Sequence, residues 1–583
     1  MKLTIEQVLK KGVAAHKEGQ FKDAESLYRT ILQSAPAHPD ANHNLGVLAI
    51  SVNQFEVALP LFKTALEVNP MVEQFWVSYV DALVRVKNVR GAKQAIKKAK
   101  KKGINAAKLE RLLSQTEGSL DTKEPSLARL NILLECYQSG DLSKAEKLAI
   151  AMTREFPKHQ FAWKVLGVIY GQTDRKAEAV NANQTAVALS PQDSEAHSNL
   201  GNTLRELGRL DEAEGSCRQA ITLKPDFAEA YSNLGLTLQE LGRSYEAEAS
   251  YTKAITLKPD YAEAHHNLGI TFEELGRLDD AEASYTRAIA LEPCFAEALS
   301  NRGYLLFGKG RFEAALSDAD ACRLDKKTRA LPFISLYALG RVDEILRRLE
   351  IASKDDGENM SIAAFAAFFS EVQSKPTAYN FCPNPIDFIS VCNLSSHLND
   401  SAAYVAGIIE ELNKIEAMWE PFQKSTVGGF QSLKGVNLFK TPSEKIDQLK
   451  LIIINELEKY LLKFENKNCS YIENFPSGNN LFGWNVILKS QGHQRTHIHP
   501  GGWLSGVVYL KVVPSLGKNE GAIEFNLNSD YYYDDNSLSF TFQPEVGDIV
   551  FFPSSLHHRT LPFTTDEERI IISFDLMPDS VKH

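Results

Sequence analysis

Paired cysteines, long apolar runs and an excess of charge of one sign are all scarce in this 583-residue chain. The seven cysteines, Cys136, Cys217, Cys294, Cys322, Cys382, Cys392 and Cys469, lie far apart, with no Cys-x-x-Cys. That scatter argues against a disulfide framework and suits reduced thiols in a cytoplasmic setting. No segment approaches the ~18 uninterrupted apolar residues of a membrane span, and no apolar signal core precedes the helical pattern that begins at Met1-Lys2-Leu3, so neither a membrane helix nor a secretory leader is expected. A net charge of −10 is mild for this length and does not point to nucleic acid as the main partner. The one basic cluster, 90–102 with Lys97-Lys98 and Lys100-Lys101-Lys102, lacks interleaved aromatics and reads as a solvated helix face. With 44% hydrophobic and 24% charged residues the composition is that of a globular protein, of about three to five domains by length.

What is abundant is repetition. Gly167, Gly201, Gly235, Gly269 and Gly303 recur every 34 residues, as do Ala179, Ala213, Ala247, Ala281 and Ala315 and the prolines from Pro157 to Pro293. Small residues at this spacing let two helices cross closely, and each proline ends a second helix. Gly12, Ala24 and Pro36, then Gly46, Ala58 and Pro70, are earlier copies, and Val80, Ala92 and Ala99 hold the frame of a degenerate third. The array resembles tetratricopeptide repeats, helix–turn–helix units of 34 residues. The frame breaks near 102–124, which reads as a hinge, and a shortened unit around Leu339-Gly340-Arg341 reads as the cap.

Stacked repeats present a concave face built by the first helix of each pair. Two positions before each glycine stand Asn199, Asn233, Asn267 and Asn301, with Asn44 in the early block. Such a ladder resembles that of O-linked N-acetylglucosamine transferases, which implies a grip on an extended peptide backbone. A carboxamide matches a peptide group with one acceptor and two donors. The other reading is that Asn merely suits the repeat consensus. Glu195, Glu229, Glu263 and Glu297 lie four residues before each Asn, and 194–295 holds eighteen acidic against nine basic residues. A neutral or basic protein or peptide ligand is therefore expected.

Near the C-terminus the pattern changes to short alternating runs separated by Gly, Pro and Asn, the mark of consecutive β-strands. The expected strands are 484–490, 496–499, 504–513, 521–527, 538–543, 548–553, 558–562 and 569–576. Two helices, about 402–419 and 442–464, are expected before them, the second capped by Thr441 with Ile446, Leu449, Ile453 and Leu457 on one face. Gly428-Gly429-Phe430-Gln431 reads as a loop edging the site, and Asp530–Asp535 as a substrate lid or a surface turn. His497 and His499 share a face of an extended segment, and a later strand brings His558, so an open site for iron or zinc is in reach.

From 381 to 577 these residues resemble the prolyl-4-hydroxylase-like branch of the 2-oxoglutarate- and Fe(II)-dependent dioxygenases. The resemblance implies His497 and His558 as metal ligands, Arg569 as the partner of the cosubstrate's distal carboxylate, and Tyr509 and Ser573 as further cosubstrate contacts. No catalytic residue beyond the metal ligands is implied. The family pattern also chooses His558 over His557. One departure stands out: the position of an acidic ligand is His499, which either ligates as a third imidazole or leaves a place for water or chloride.

The expected fold is a multidomain one: an all-α tetratricopeptide superhelix followed by an α+β domain with a double-stranded β-helix, or jelly-roll, core. Expected boundaries are 1–103 for early repeats, 104–124 for the hinge, 125–350 for the main array, 351–377 for a helical connector and 378–583 for the dioxygenase-like domain. The resemblance implies an oxygenase with Fe(II) as cofactor and 2-oxoglutarate as cosubstrate that hydroxylates a captured protein or peptide. Alternatives are a binding scaffold with a degenerate barrel, argued from His499, and a cupin-type metalloenzyme without 2-oxoglutarate. The substrate and the oligomeric state are not legible.

Overall fold

The computed structural model describes residues 4–52, 54–86, 88–110, 112, 124–173, 175–321, 325–421, 424–433, 435–516 and 519–579. The chain divides into two compact units, Met1–His159 and Gln160–His583. In the first, helices Ile5–Lys17, Pro39–Ser51, Glu73–Arg85 and Leu127–Gln138 are each followed by a second helix, Phe21–Ser34, Phe55–Val68, Val89–Lys101 and Leu142–Glu155. The degenerate third copy folds like its neighbours, with Val80, Ala92 and Ala99 fully buried. The basic run is the exposed face of Val89–Lys101, opposite the buried Ala92, Ala95 and Ala99. Most of the expected hinge, 113–123, lies outside the described residues. The two units part after His159 rather than at 125, so one helix pair of the expected main array falls in the first unit.

The second unit opens with five helix pairs, from Gln160–Gln172 with Lys176–Leu189 to Ala296–Gly308 with Phe312–Ala321, and a short pair, Leu331–Ala338 with Val342–Asp355. The 34-residue glycine is a packing necessity: a methyl group on Gly235 would come within 2.6 Å of the Tyr251 ring, and one on Gly269 within 2.5 Å of Tyr285. The turn between paired helices uses a different glycine, such as Gly242 at φ +73°, in the left-handed conformation that ends helices.

The expected connector is no spacer. Helix Met360–Val372 is buried along Met360–Phe369, and one hydrophobic core runs from Leu299 and Leu331 through Phe365 and Phe368 to Leu449, Tyr509 and Ile572. Array and β-domain thus share an interior, which couples them as a single body. The aromatic insert adds a second contact: it runs over the surface, with Asp530, Tyr531, Tyr533 and Asp535 exposed, and is anchored by Tyr532. Tyr531 rests on Tyr304 and Phe307, at ring distances of 4.7 and 6.0 Å, and Tyr532 is buried against Phe365 and Phe368.

Ten strands follow in the described residues: β1 (Ser390–Asn393), β2 (Ala417–Trp419), β3 (Thr426–Ser432), β4 (Leu481–His497), β5 (Leu504–Lys511), β6 (Ile523–Asn526), β7 (Ser539–Phe542), β8 (Asp548–Pro553), β9 (His557–Thr560) and β10 (Arg569–Leu576). All ladders are antiparallel, in the order β1-β8-β5-β10-β4-β9-β6-β7, with β3 also on β4 and β2 on β3. The sheet curls because β4 belongs to both halves: its first part pairs with β10, and its end pairs with β9 at His497 and His558. The bend falls near Gln491, at φ +64°. Two expected strands, 484–490 and 496–499, are therefore one, and the second stops at His497 because Pro500-Gly501-Gly502 turns the chain away.

Three local expectations change. Gly428–Gln431 is strand, not loop; it pairs with β4 through a bulge at Gly428, φ +64°. The first helix ends at Leu412, and Ala417–Trp419 is strand β2, held by β3. The helix Glu444–Phe464 is capped by the Ser443 hydroxyl, which accepts from the Ile446 N–H at 3.1 Å, rather than by Thr441. Its face of Ile446, Leu449, Ile453 and Leu457 is buried as expected.

Candidate metal centre

The ends of β4 and β9 and the turn after β4 bring His497, His558 and His499 together. One ring nitrogen from each lies within 4.8 Å of the others, and the ring centres are 4.3 to 5.2 Å apart. Every Nδ1 of the three is engaged elsewhere: His497 with the Arg495 carbonyl at 2.7 Å, His558 with the Leu556 carbonyl at 3.1 Å, His499 with Asp575 Oδ1 at 2.6 Å. A carbonyl or carboxylate only accepts, so each Nδ1 carries the proton and each Nε2 is left as an acceptor; that of His497 lies 3.3 Å from the Ser425 hydroxyl, which a metal would displace. Burial pushes His497 down to about 3, with the His499 imidazole adding to the effect, and holds His558 well below the usual histidine range for the same reason. His497 and His558 are thus neutral, the form that ligates. His557 faces the other way and packs against Tyr532 at 5.8 Å, because neighbours in a strand point to opposite faces.

Residues directly opposite across a sheet share a face. On the inward face β10 presents Arg569, Ile571, Ser573 and Asp575, with Trp484 opposite Ser573, Tyr509 opposite Ile571 and Ser505 opposite Asp575. Arg569 is 1% exposed. Its Nε donates to the Gly521 carbonyl at 3.1 Å and its guanidinium lies 5.0 Å from the centre of the Tyr509 ring. No acidic group within the described residues pairs with it, and its Nη1 and the Tyr509 hydroxyl are both buried without a hydrogen-bond partner of ordinary geometry. Burial drives the Tyr509 phenol up to about 12, partly offset by Arg569, so it stands as a donor. An unpaired buried guanidinium beside an unsatisfied hydroxyl is a fitting seat for a carboxylate.

A cavity of about 530 Å³ reaches the cluster, lined by His497, His499, Trp484, Gln494 and Asp575 and, from the loop between the last two helix pairs of the array, Lys327. Arg569, Tyr509 and Ser573 do not line it; they lie behind it on the same inward face. Asp575 went unnoticed in the sequence, although the alternation Arg569, Ile571, Ser573, Asp575 carries it to that face.

Along the array the asparagine ladder is half-buried and partly engaged. Asn233 Nδ2 donates to Ser198 at 3.0 Å and Asn301 Nδ2 to His266 Nε2 at 3.0 Å, each reaching one repeat back. Asn199 and Asn267 are half-buried in the same row. Two of the four acids in the neighbouring row are paired, Glu195 with Lys164 at 2.7 Å and Glu229 with Lys258 at 3.2 Å. Asn301 and Tyr304 share a helix face, three residues apart, so the row ends where Tyr531 of the β-domain docks.

A family described as "Putative 2OG-Fe(II) oxygenase" matches residues 483–575. Tetratricopeptide families match 134–194, 182–215, 201–242, 226–291 and 266–325. Among solved structures the chain is similar to TTC0263, a thermophilic TPR protein of Thermus thermophilus, at 26% identity over 31% of this chain and 99% of that one, with a TM-score of 0.28. It is also similar to YrrB, described as a TPR protein with an unusual peptide-binding site, at 21% identity over 32% and 95%, TM-score 0.26. The TPR domain of P58(IPK) is a third, at 15% identity over 58% and 99%, TM-score 0.21. Among curated proteins none matches.

Proposed function

Because the chain joins tetratricopeptide repeats to a C-terminal 2OG-Fe(II) oxygenase domain, we propose that it is a ferrous, 2-oxoglutarate-dependent hydroxylase acting on a protein or peptide held by its own repeats. The observation that carries this reading is the pairing of three clustered imidazoles, each with its Nδ1 already occupied, with a fully buried Arg569 that has no acidic partner. His497, His499 and His558 would hold the iron. Arg569, with the Tyr509 and Ser573 hydroxyls on the same face, would hold the distal carboxylate of 2-oxoglutarate. The metal and cosubstrate together supply the oxidation of a substrate C–H to C–OH, consuming dioxygen and 2-oxoglutarate and yielding carbon dioxide and succinate.

The protein's own work is to keep His497 and His558 neutral, to aim all three rings, to bind the cosubstrate's far end by a planar fork, and to wall the cavity with Trp484 and Gln494. Delivery is the second half of the proposal. Asn199, Asn233, Asn267 and Asn301 would hold an extended, neutral or basic segment, and the row ends beside the docked insert of the oxygenase domain, so a bound segment gains a high effective concentration at the site. The pairing of Glu195 and Glu229 favours the neutral ligand. The cysteine scatter is the support for a cytoplasmic setting; for the membrane, no described helix is long and apolar enough to cross one. Succinate release with Fe(II) and 2-oxoglutarate, with and without cell extract as the substrate source, tests the activity. No succinate above a His497→Ala control in either condition would overturn it.

A further inference from the structure

We infer that Asp575 is a positioning residue that makes His499 the anionic arm of the metal centre. This rests on the reading that the three histidines hold the metal. Three neutral imidazoles around a dication leave its charge uncompensated, and in a buried site that is costly. The nearest carboxylate is one bond removed. Asp575 Oδ1 accepts from His499 Nδ1 at 2.6 Å, within the range of a charge-assisted bond.

The carboxylate is held there by a built network. The Ser505 hydroxyl donates to the same Oδ1 at 2.7 Å and lies 2.8 Å from Ser554 Oγ and 2.9 Å from His499 Nδ1. The Ser554 carbonyl in turn accepts the His499 backbone N–H at 2.9 Å, which fixes the turn that carries the ring. Gly502 leaves the room: a methyl group there would sit 2.6 Å from Ser554 Oγ and 3.0 Å from the Asp575 carboxyl carbon.

Three features separate this from ordinary core packing. Asp575 is only 9% exposed, yet within the described residues its sole ion-pair partner is His499. It lines the cavity that the histidines line. Its acceptor-only oxygen dictates which nitrogen of His499 faces the other two rings. An imidazole polarised by a carboxylate is a stronger donor to a metal, so part of the negative charge is delivered through the ring.

The test is a double-variant comparison on the full chain, read by Co(II) titration and the visible spectrum of the Co(II) form, with Fe(II) titrated anaerobically alongside. Asp575→Asn keeps the shape and removes the charge. It is expected to weaken Co(II) and Fe(II) binding about 10- to 100-fold and to shift the Co(II) bands. Asp575→Glu, which keeps the charge, is expected to regain most of the affinity. The deciding arm is His499→Asp, which places the carboxylate on the metal directly. In that background Asp575→Asn should no longer weaken binding, and relief of carboxylate repulsion should leave it unchanged or tighter.

Equal affinity of the parent and Asp575→Asn would overturn the inference while leaving the three-histidine site intact. So would the same fold-loss in both backgrounds, since a purely structural Asp575 would act alike in each. Failure of the parent to bind one Co(II) would overturn both this inference and the metal-site reading beneath it.

Discussion

Arg205 in the array and Arg569 in the oxygenase domain are both arginines drawn inside, and their surroundings are opposite. Arg205 pairs with Glu240 one repeat on, at 2.6 Å, and bonds Asn202 at 3.0 Å. The same habit recurs along the array, where Gln239 donates to Glu274 at 2.8 Å and Asn233 to Ser198. Arg569 is more deeply buried and has a carbonyl, a tyrosine ring and no acid. Each guanidinium keeps one buried nitrogen without a partner, Nε in Arg205 and Nη1 in Arg569, so what separates them is the carboxylate that Arg205 has and Arg569 lacks.

The largest effect expected is at the metal. His558→Ala should abolish stoichiometric Fe(II) binding, and so should His497→Ala. Iron held by either variant as tightly as by the parent would show the site to be misassigned.

Next in size is the cosubstrate. Arg569→Lys keeps a charge but loses the bidentate fork, and 2-oxoglutarate should bind more weakly by about 1.5–3 kcal/mol in calorimetry, with iron binding spared. The contrast with Arg205 sharpens this. Arg569→Met, measured without ligands, should raise the midpoint of thermal unfolding or leave it unchanged, because an unpaired buried charge is removed. Arg205→Met strands Glu240 and should lower it, by the equivalent of about 1–3 kcal/mol. Losses of the same size at both positions would break the comparison.

A smaller effect concerns pH. Burial depresses His266 to about 4, outweighing the pull of Glu297, and its Nε2 accepts a hydrogen bond from Asn301 only while unprotonated. Its folded pKa is below the unfolded value of about 6.5, so between the two the unfolded chain binds more protons. Its contribution is therefore present above about 6.5 and lost as pH falls toward 4. His266→Gln should flatten unfolding free energy against pH in that window by about 1–2 kcal/mol. An unchanged slope would remove His266 as its source.

The smallest effect is expected on the concave face. Replacing Asn199, Asn233, Asn267 and Asn301 together by Ala should leave the helices folded and 2-oxoglutarate turnover without prime substrate intact. KM for a protein substrate identified by trapping should rise several-fold with kcat little changed. Equal KM values would mean that the row serves repeat packing, as the bonds of Asn233 and Asn301 already do in part.

How far the site could be read in advance depended on the range of the interactions. Alternation puts His497 and His499, and Arg569 and Ser573, on shared strand faces, while the roles of His497, His558 and Arg569 and the choice of His558 over His557 come from the family resemblance. The sequence spacing puts His499 on the strand face of His497, but it reaches the cluster from a turn, pinned by the distant Ser554 carbonyl. Asp575 is not legible in the sequence because its meaning comes from a hydrogen bond to a residue in a turn 76 positions earlier. The insert was ambiguous because Tyr531 and Tyr532 answer to Tyr304 and Phe368, in a different part of the chain.

By itself the sequence determined the repeat, since a 34-residue period of Gly, Ala and Pro is enforced by contacts between residues about sixteen apart, such as Gly235 with Tyr251. It also determined which residues of a strand share a face, since alternation is a property of the extended backbone. Only the tertiary structure decided that β4 serves both halves of the sheet, that the connector is shared core, and that a carboxylate stands behind His499. Those outcomes turn on which distant segments exclude water together, and burial is a property of the assembled surfaces rather than of any one of them.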